Sequence, residues 1–402
     1  MRVIFTMQNK ISFSARIFLG LILGIAVGAA LYRVPEIANV YIKPIGDVFL
    51  NLIRFIVAPV VFLTVVSGIV SMDNVKTVGK TGVRALIFYF FTTAAAVVIG
   101  LGVSFFFCPF FKPLSTYDLV YDGTTSVDFI ETLVHMFPSN FAGAFADGNM
   151  MQIIIAALFF GLAILSFENK DGAKGVAVLE RIVLKVMDMI LKFSPIGVFA
   201  LIVPVIAESG IQVLGSLFLV LICAYTAFIL HILLVYMPLL YSKHRISPAR
   251  FVSNMLPAVS LAFSTASSVS AMHENLTCTQ RLGAKESVAD FVIPLGATIN
   301  MDGTGIYQGV CVTFIAACFG VNLTLSQCVV LTLSATLASV GTAGVPGAGM
   351  IMLAVALQSV GLPVEGVALV AGIDRLFDMG RTAMNVMGDA ACAIFISPKR
   401  NM

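Results

Sequence analysis

Gly372-Ile-Asp-Arg-Leu-Phe-Asp-Met-Gly-Arg-Thr-Ala-Met-Asn-Val-Met-Gly-Asp389 packs five ionic residues and an amide into eighteen positions: Asp374, Arg375, Asp378, Arg381, Asn385 and Asp389. Apolar runs flank it at 364–371 and 390–396. A charge in hydrocarbon costs at least ~2.5–3.5 kcal/mol, so ionisable residues inside a membrane segment are functional candidates by default. Asp374, Asp378, Arg381 and Asn385 follow at spacings of four, three and four, which places them on one helix face, and Asp389 extends the stripe. Thr382 sits beside it. Such a stripe has to face protein or an aqueous cavity. Asp378 and Arg381 at that spacing can pair with each other, but three acids and an amide exceed what one arginine needs. The surplus carboxylates suit a hard cation such as Na+.

Working outward, the rest of the 402-residue chain is 59% hydrophobic and 11% charged, with 33 glycines and no tryptophan. Its mean hydropathy is +1.01. Apolar stretches of the ~20 residues needed to span a bilayer recur from end to end, and no polar segment is long enough for a separate soluble domain. The expectation is one integral membrane unit over 1–402. A net charge of +3, carried at segment ends, argues against a nucleic-acid partner. The seven cysteines are odd in number, form no CxxC pair and read as small core residues. The N-terminal run lacks a small-residue cleavage site and reads as a retained first helix.

Six spans are expected at 17–32, 48–70, 86–107, 153–167, a fifth running to about 208, and 214–240. Gly20, Gly24 and Gly28 in the first recur every four residues, a spacing that either lets helices approach closely or is ordinary for membrane helices. An acidic, partly loop-like excursion covers 108–150, and the fifth helix is expected to start amphipathic in the charged segment after 168. Lysines and arginines cluster at alternate ends of these spans, which puts both ends of the six-span unit on the cytoplasmic side.

Between 247 and 402 the apolar segments are broken by serine and glycine. The segment 251–279 and the segment 329–362 each read as two half-length helices joined by a small-residue tip, Ser264-Thr-Ala-Ser-Ser-Val-Ser270 in the first and Ser339-Val-Gly-Thr-Ala-Gly-Val-Pro-Gly-Ala-Gly349 in the second. Irregular backbone at membrane depth is tolerated only where it is buried in protein or lines a cavity. Paired interruptions point to a transporter site built from inverted repeats. With both as re-entrant hairpins, a seventh span at 288–319 and an eighth at 364–396 close the topology. The fold class is then an all-α polytopic membrane protein with eight transmembrane helices and two re-entrant hairpins. In the seventh span, Asn300-Met-Asp-Gly-Thr304 places Asp302 with no basic residue in the span, beside glycines that weaken the helix. Unwound backbone there can offer carbonyls to a cation. Tyr89, Thr92 and Thr93 add hydroxyls within one turn of the third span.

Asn300-Met-Asp-Gly-Thr304, Ser339-Val-Gly-Thr-Ala-Gly-Val-Pro-Gly347 and Asp378-Met-Gly-Arg-Thr-Ala-Met-Asn385 closely resemble the signatures of the dicarboxylate/amino acid:cation symporter family, the glutamate transporter family. Ser194-Pro-Ile-Gly-Val-Phe-Ala200 matches as well, and the resemblance covers nearly the whole chain. It implies a homotrimer in the plasma membrane with both termini cytoplasmic. A trimerisation scaffold would occupy about 12–72 and 148–210. A transport part would occupy about 79–108, 211–242 and 247–398, with hairpins at about 247–280 and 327–361. It also implies import of an acidic amino acid coupled to Na+ by an elevator motion, with no organic cofactor and no enzymatic activity.

Carried over residue by residue, Arg381 would hold the substrate's side-chain carboxylate and Asp378 its amino group. Thr382, Asn385, Thr304, Ser268, Val345 and Gly349 would complete the pocket. Three implied cation sets are Asp389, Asn385, Asn300 and Gly296; Asp302, Asn300, Tyr89, Thr92 and Thr93; and Thr298, Ser339, Val340 and Thr342. This chain departs from the family at the first tip, where His273-Glu274 stands in place of a Thr-Leu-Pro, which bears on ligand size and on proton participation through His273. Arg375 occurs in only some bacterial members. Alternatives within the family are proton coupling and a C4-dicarboxylate or cystine substrate; outside it, an anion-conducting channel.

Overall fold

The computed structural model describes residues 13–71, 80–111, 134, 137–167, 171–211, 213–339 and 348–398. Every regular element among them is helical. In chain order these are α1 (Phe13–Ala30), α2 (Lys43–Ser71), α3 (Lys80–Phe107), α4 (Met150–Ser166), α5 (Asp171–Leu191), α6 (Ser194–Ser209), α7 (Val213–His231) and α8 (Met237–His244). They continue as α9 (Pro248–Thr265), α10 (Ser268–Arg281), α11 (Glu286–Ile299), α12 (Asp302–Cys318), α13 (Leu325–Ser339), α14 (Ala348–Ser359) and α15 (Asp374–Ile396). Short turns at Pro35–Ile37, Ala38–Ile42, Cys108–Phe110, Phe141–Ala146, Val364–Gly366 and Val367–Ala371 connect them. The N-terminal run before Phe13 and most of the acidic excursion lie outside the described residues.

Polarity is arranged outside in. Ile22, Tyr41, Phe55, Phe106, Phe159 and Phe218 are exposed, while Asp302, Asp374, Asp378, Arg381, Asn385 and Asp389 are buried. In water such an apolar surface is a liability; toward lipid it is required. Two described helices, Lys80–Phe110 and Leu214–His244, are each long and apolar enough to cross a membrane. The fifth expected span is broken instead: α5 and α6 meet at a 51° bend. Pro195 and the uncapped turn at Lys192–Phe193 account for the break, since proline cannot donate into a preceding helix.

Helices α1, α2, α4, α5 and α6 pack chiefly on one another, and α3 and α7 to α15 chiefly on one another. The glycine repeat of α1 lies against α6. A Cβ on Gly20 would overlap the Pro195 carbonyl, one on Gly24 would overlap Ile202, and one on Gly28 would stand 2.7 Å from the Ile206 Cβ. Close backbone approach, not chance tolerance, explains that repeat.

In the C-terminal third, α9 and α10 pack together across a tip of only Ala266 and Ser267. Ala266 takes the left-handed conformation (φ 51°) that ends α9, and Ser267 caps α10 by accepting from the Ser270 N–H. Helices α13 and α14 pair likewise, with the intervening tip 340–347 outside the described residues. The expected seventh span is split at Asn300–Met301 into α11 and α12. The eighth begins only at Asp374, because Gly372 and Ile373 separate α15 from the short turns over 364–371. Helix α15 runs through the centre of this group, contacting α3, α7, α9, α10, α11, α12 and α14.

Candidate functional site

The first-turn N–H groups of a helix have no acceptor within it. In α12, which starts abruptly at Asp302, one of them is met from across the core: the Gly303 N–H donates to Asn385 Oδ1 at 2.8 Å. Asp302 itself is wholly buried. Its Oδ1 accepts from Thr93 Oγ1 at 2.6 Å and from Thr92 Oγ1 at 3.2 Å, both on α3. Its Oδ2 accepts from the Tyr236 hydroxyl at 2.6 Å and lies 3.4 Å from His231 Nε2. His231 precedes and Tyr236 closes a π-helical turn, Ile232–Tyr236, between α7 and α8. Such turns often mark functional sites.

Beside this carboxylate lies a second. Asp389 is buried, and its Oδ1 accepts from Asn300 Nδ2 at 3.0 Å. The same Asn300 amide donates to the Asn385 backbone carbonyl at 2.9 Å, which ties the broken backbone between α11 and α12 to α15. Gly296 has to be glycine here, because a Cβ would overlap the Asp389 carboxylate and the Tyr89 hydroxyl. The Tyr89 hydroxyl meanwhile donates to the Val292 carbonyl at 3.1 Å. Among the described residues no lysine or arginine pairs with Asp302 or Asp389. Asn300 Oδ1 is buried without a hydrogen-bond partner. Buried carboxylates and an orphaned acceptor are costly unless compensated. Two carboxylates, hydroxyls and an unused amide oxygen form a donor set of the kind Na+ takes, so these residues fit a co-transported Na+.

One to three turns N-terminal on α15, the ionic stripe is self-paired. Arg381 donates to Asp378 Oδ1 through Nη2 at 2.6 Å and Nε at 3.0 Å. The pairing open to Asp378 and Arg381 at their spacing is therefore made. Arg381 Nη1 is left buried without a hydrogen-bond partner. It lies against Gly349 at the start of α14, where a Cβ would coincide with it, and the guanidinium stands 5.3 Å from the Tyr307 ring centre. Asp374 accepts from the Tyr307 hydroxyl at 2.8 Å. Thr304, Thr382 and Ser268 are buried, the last at the N-terminus of α10. A guanidinium edge left unsatisfied in a buried place is a receptor for a carboxylate.

Asp389, Asn385, Asn300 and Gly296 are thus brought together, and Asp302 gathers Thr92 and Thr93 with Tyr89 nearby. The third expected set is not assembled among the described residues. Thr298 is exposed with its hydroxyl on the Leu295 carbonyl, and Ser339 donates to Thr336. Val340, Thr342 and Val345 lie outside the described residues. His273 is exposed on α10. His231, Tyr236 and Tyr307 were not singled out by the sequence, although an imidazole in the otherwise apolar α7 was a visible signal. No disulfide forms among the described residues, and Cys223, Cys278, Cys311, Cys318 and Cys392 are buried, as small core residues would be.

Comparison with known proteins identifies the family. The sodium:dicarboxylate symporter family profile matches residues 13–398. The chain belongs to the sodium:dicarboxylate symporter family. Among relatives, the proton/sodium-glutamate symport protein of Geobacillus stearothermophilus is 36% identical, covering 97% of this chain and 95% of the relative. The proton/glutamate-aspartate symporter of Escherichia coli is 33% identical over 97% of this chain and 94% of its own. The C4-dicarboxylate transport protein of Pseudomonas chlororaphis is 33% identical over 95% and 88%. As a member of the sodium:dicarboxylate symporter family, the chain is a membrane symporter and not an enzyme.

Proposed function

We propose that the chain imports an acidic amino acid, aspartate or glutamate, together with Na+ by an elevator-type alternating-access motion. The observation that carries the reading is the adjacency of two kinds of site along α15, which gives Arg381 to one and Asp389 to the other. Arg381 keeps an unsatisfied guanidinium edge against Gly349, beside the Tyr307 ring. Within three turns, Asp302, Asp389 and Asn300 form a buried anionic set with no lysine or arginine among the described residues. Arg381 takes the substrate's side-chain carboxylate, and Asp378, released on one oxygen by that exchange, takes its ammonium. Na+ neutralises Asp302 and Asp389, whose ladder to Asn300 and Asn385 runs directly to the substrate helix. Occupancy of one site therefore fixes the other.

In this reading α1, α2, α4, α5 and α6 form the trimerisation scaffold, and α3 with α7 to α15 moves as the transport part. The pairs α9/α10 and α13/α14 are re-entrant hairpins completing eight spans, and both termini are cytoplasmic in the plasma membrane. The names of several relatives include protons or C4-dicarboxylates, so the assay has to separate these. Radiolabelled aspartate, glutamate, succinate and cystine are offered to proteoliposomes with Na+ and H+ gradients imposed separately. Inward Na+ gradients should drive concentrative uptake of aspartate or glutamate. Uptake that follows only the H+ gradient, or conductance without substrate accumulation, would overturn the reading.

A further inference from the structure

Helix α5 carries three lengthwise faces. Val176, Met187, Ile190 and Leu191 are buried, and the helix packs chiefly on α2, where Glu180 accepts from the Ser67 hydroxyl at 2.7 Å. On the outer side Lys174, Arg181, Lys185 and Lys192, the last just past the helix end, follow at spacings of seven, four and seven. That spacing keeps them in one row along about 27 Å of helix. All four are exposed. Lys174 lies 3.4 Å from Asp171, but no carboxylate among the described residues is within ion-pair distance of Arg181, Lys185 or Lys192. Beside that row Val178, Ile182 and Met189 form a second one, and they are exposed too. The exposed charges are four cations against two carboxylates, Asp171 and Asp188. A solvated face would be polar throughout. An apolar row beside a cationic row is the pattern of a helix lying at a membrane surface. The 51° bend turns α5 out of line with the apolar helix α6, as that position requires.

We propose that this outer face of α5 is a docking surface for anionic phospholipids. Arg181, Lys185 and Lys192 take the headgroup phosphates, and Val178, Ile182 and Met189 lie against the acyl chains. Arginine forks onto phosphate oxygens, while lysine meets them as a point charge. Both reach the headgroup layer on long stems that themselves cover apolar surface. Charge selects an anionic lipid over a zwitterionic one, since each cation near an anionic surface gains about fivefold in binding. Charge also argues against a second copy of the chain on this face, because covering the row would strip water from three unpaired cations. The buried face joins α2 to the lipid-held helix, so the α2/α5 side of the protein is anchored to the leaflet. The inference stands on membrane placement alone and uses neither the substrate nor the Na+ assignment.

The chain has no tryptophan, so Ile182→Trp places a single reporter in the apolar row. The full-length variant is reconstituted in mixed bilayers, and quenching of that tryptophan is measured with brominated phosphatidylglycerol or brominated phosphatidylcholine. Phosphatidylglycerol should be preferred about fivefold or more. Adding Arg181→Gln, Lys185→Gln and Lys192→Gln together should bring the preference near one, and adding Asp188→Asn alone should raise it. All these positions are exposed, and the Asp188→Asn arm keeps the proposal open to refutation if the triple substitution does not fold. Inorganic phosphate should displace no more lipid than potassium chloride of equal ionic strength. Equal quenching by the two lipids, a preference that neither set of substitutions moves, or specific displacement by phosphate overturns the proposal. Quenching by neither lipid overturns it too, and would show the face covered by another copy of the chain. None of these readouts uses transport, so their outcome is separate from that of the proposed import of an acidic amino acid.

Discussion

Asp389→Asn keeps the outline of a buried side chain and removes its charge. Asp389 is 1% exposed, accepts from Asn300 at 3.0 Å and has no lysine or arginine partner among the described residues. Two opposite effects follow. Without Na+ the wild-type carboxylate is buried and uncompensated, so the variant should be at least as stable in a Na+-free medium. With Na+ the variant lacks a charged ligand worth ~1.5–3 kcal/mol, which weakens affinity about 10- to 150-fold. At a Na+ concentration 100 times the wild-type Kd, binding stabilises the wild type by about 2.7 kcal/mol. A 30-fold loss of affinity leaves about 0.9 kcal/mol at that concentration. Thermal unfolding of the purified protein, in Na+ against an impermeant organic cation, reads both effects. The wild-type Tm should rise with Na+, and the variant should start no lower and rise much less. A variant that unfolds earlier without Na+, yet keeps the full Na+ shift, would refute the placement of Na+ at Asp389.

Arg381→Lys replaces a forked donor with a point charge and should raise the KM for acidic substrates about tenfold or more, with protein yield unchanged in uptake assays. Tyr236→Phe removes the 2.6 Å hydroxyl donor from Asp302 and should lower stability in Na+-free medium by ~1.5–3 kcal/mol; Na+ should recover part of the loss in a melting experiment. Gly24→Val drives a side chain into Ile202 on α6 and should cost ~1–3 kcal/mol, seen as a lower Tm with the KM for substrate unchanged.

Much of the site was legible because its residues carry their own periodicity. Asp374, Asp378, Arg381, Asn385 and Asp389 recur at helical spacing in an apolar chain, and the serine and glycine interruptions announce broken helices. Asn300-Met-Asp-Gly-Thr304 showed where α11 would stop, since a buried acid and two glycines weaken the same turn. The long-range partners of Asp374 and Arg375 were not legible. Tyr307 lies 67 positions away and Thr265 lies 110 away, so only the packing of α9 and α12 on α15 joins them. His231 and Tyr236 escaped for a different reason. Residues five apart on an α-helix point about 140° apart, so a regular reading puts them on different faces. The π turn at Ile232–Tyr236 winds more residues into the turn, and both reach Asp302 Oδ2. The bend between α5 and α6 was hidden likewise, because hydropathy runs on through Ser194-Pro195 while the backbone does not.

Coupling is the central claim, and flux of the ion itself reports it. Proteoliposomes containing the protein are given equal Na+ on both sides, a trace of radioactive Na+ outside and an inward aspartate gradient. Aspartate entry should drive net Na+ entry against no Na+ gradient, in fixed proportion to the aspartate taken up, and Asp389→Asn should abolish that proportion. Aspartate entry that moves no Na+, or Na+ entry that ignores aspartate, would contradict it.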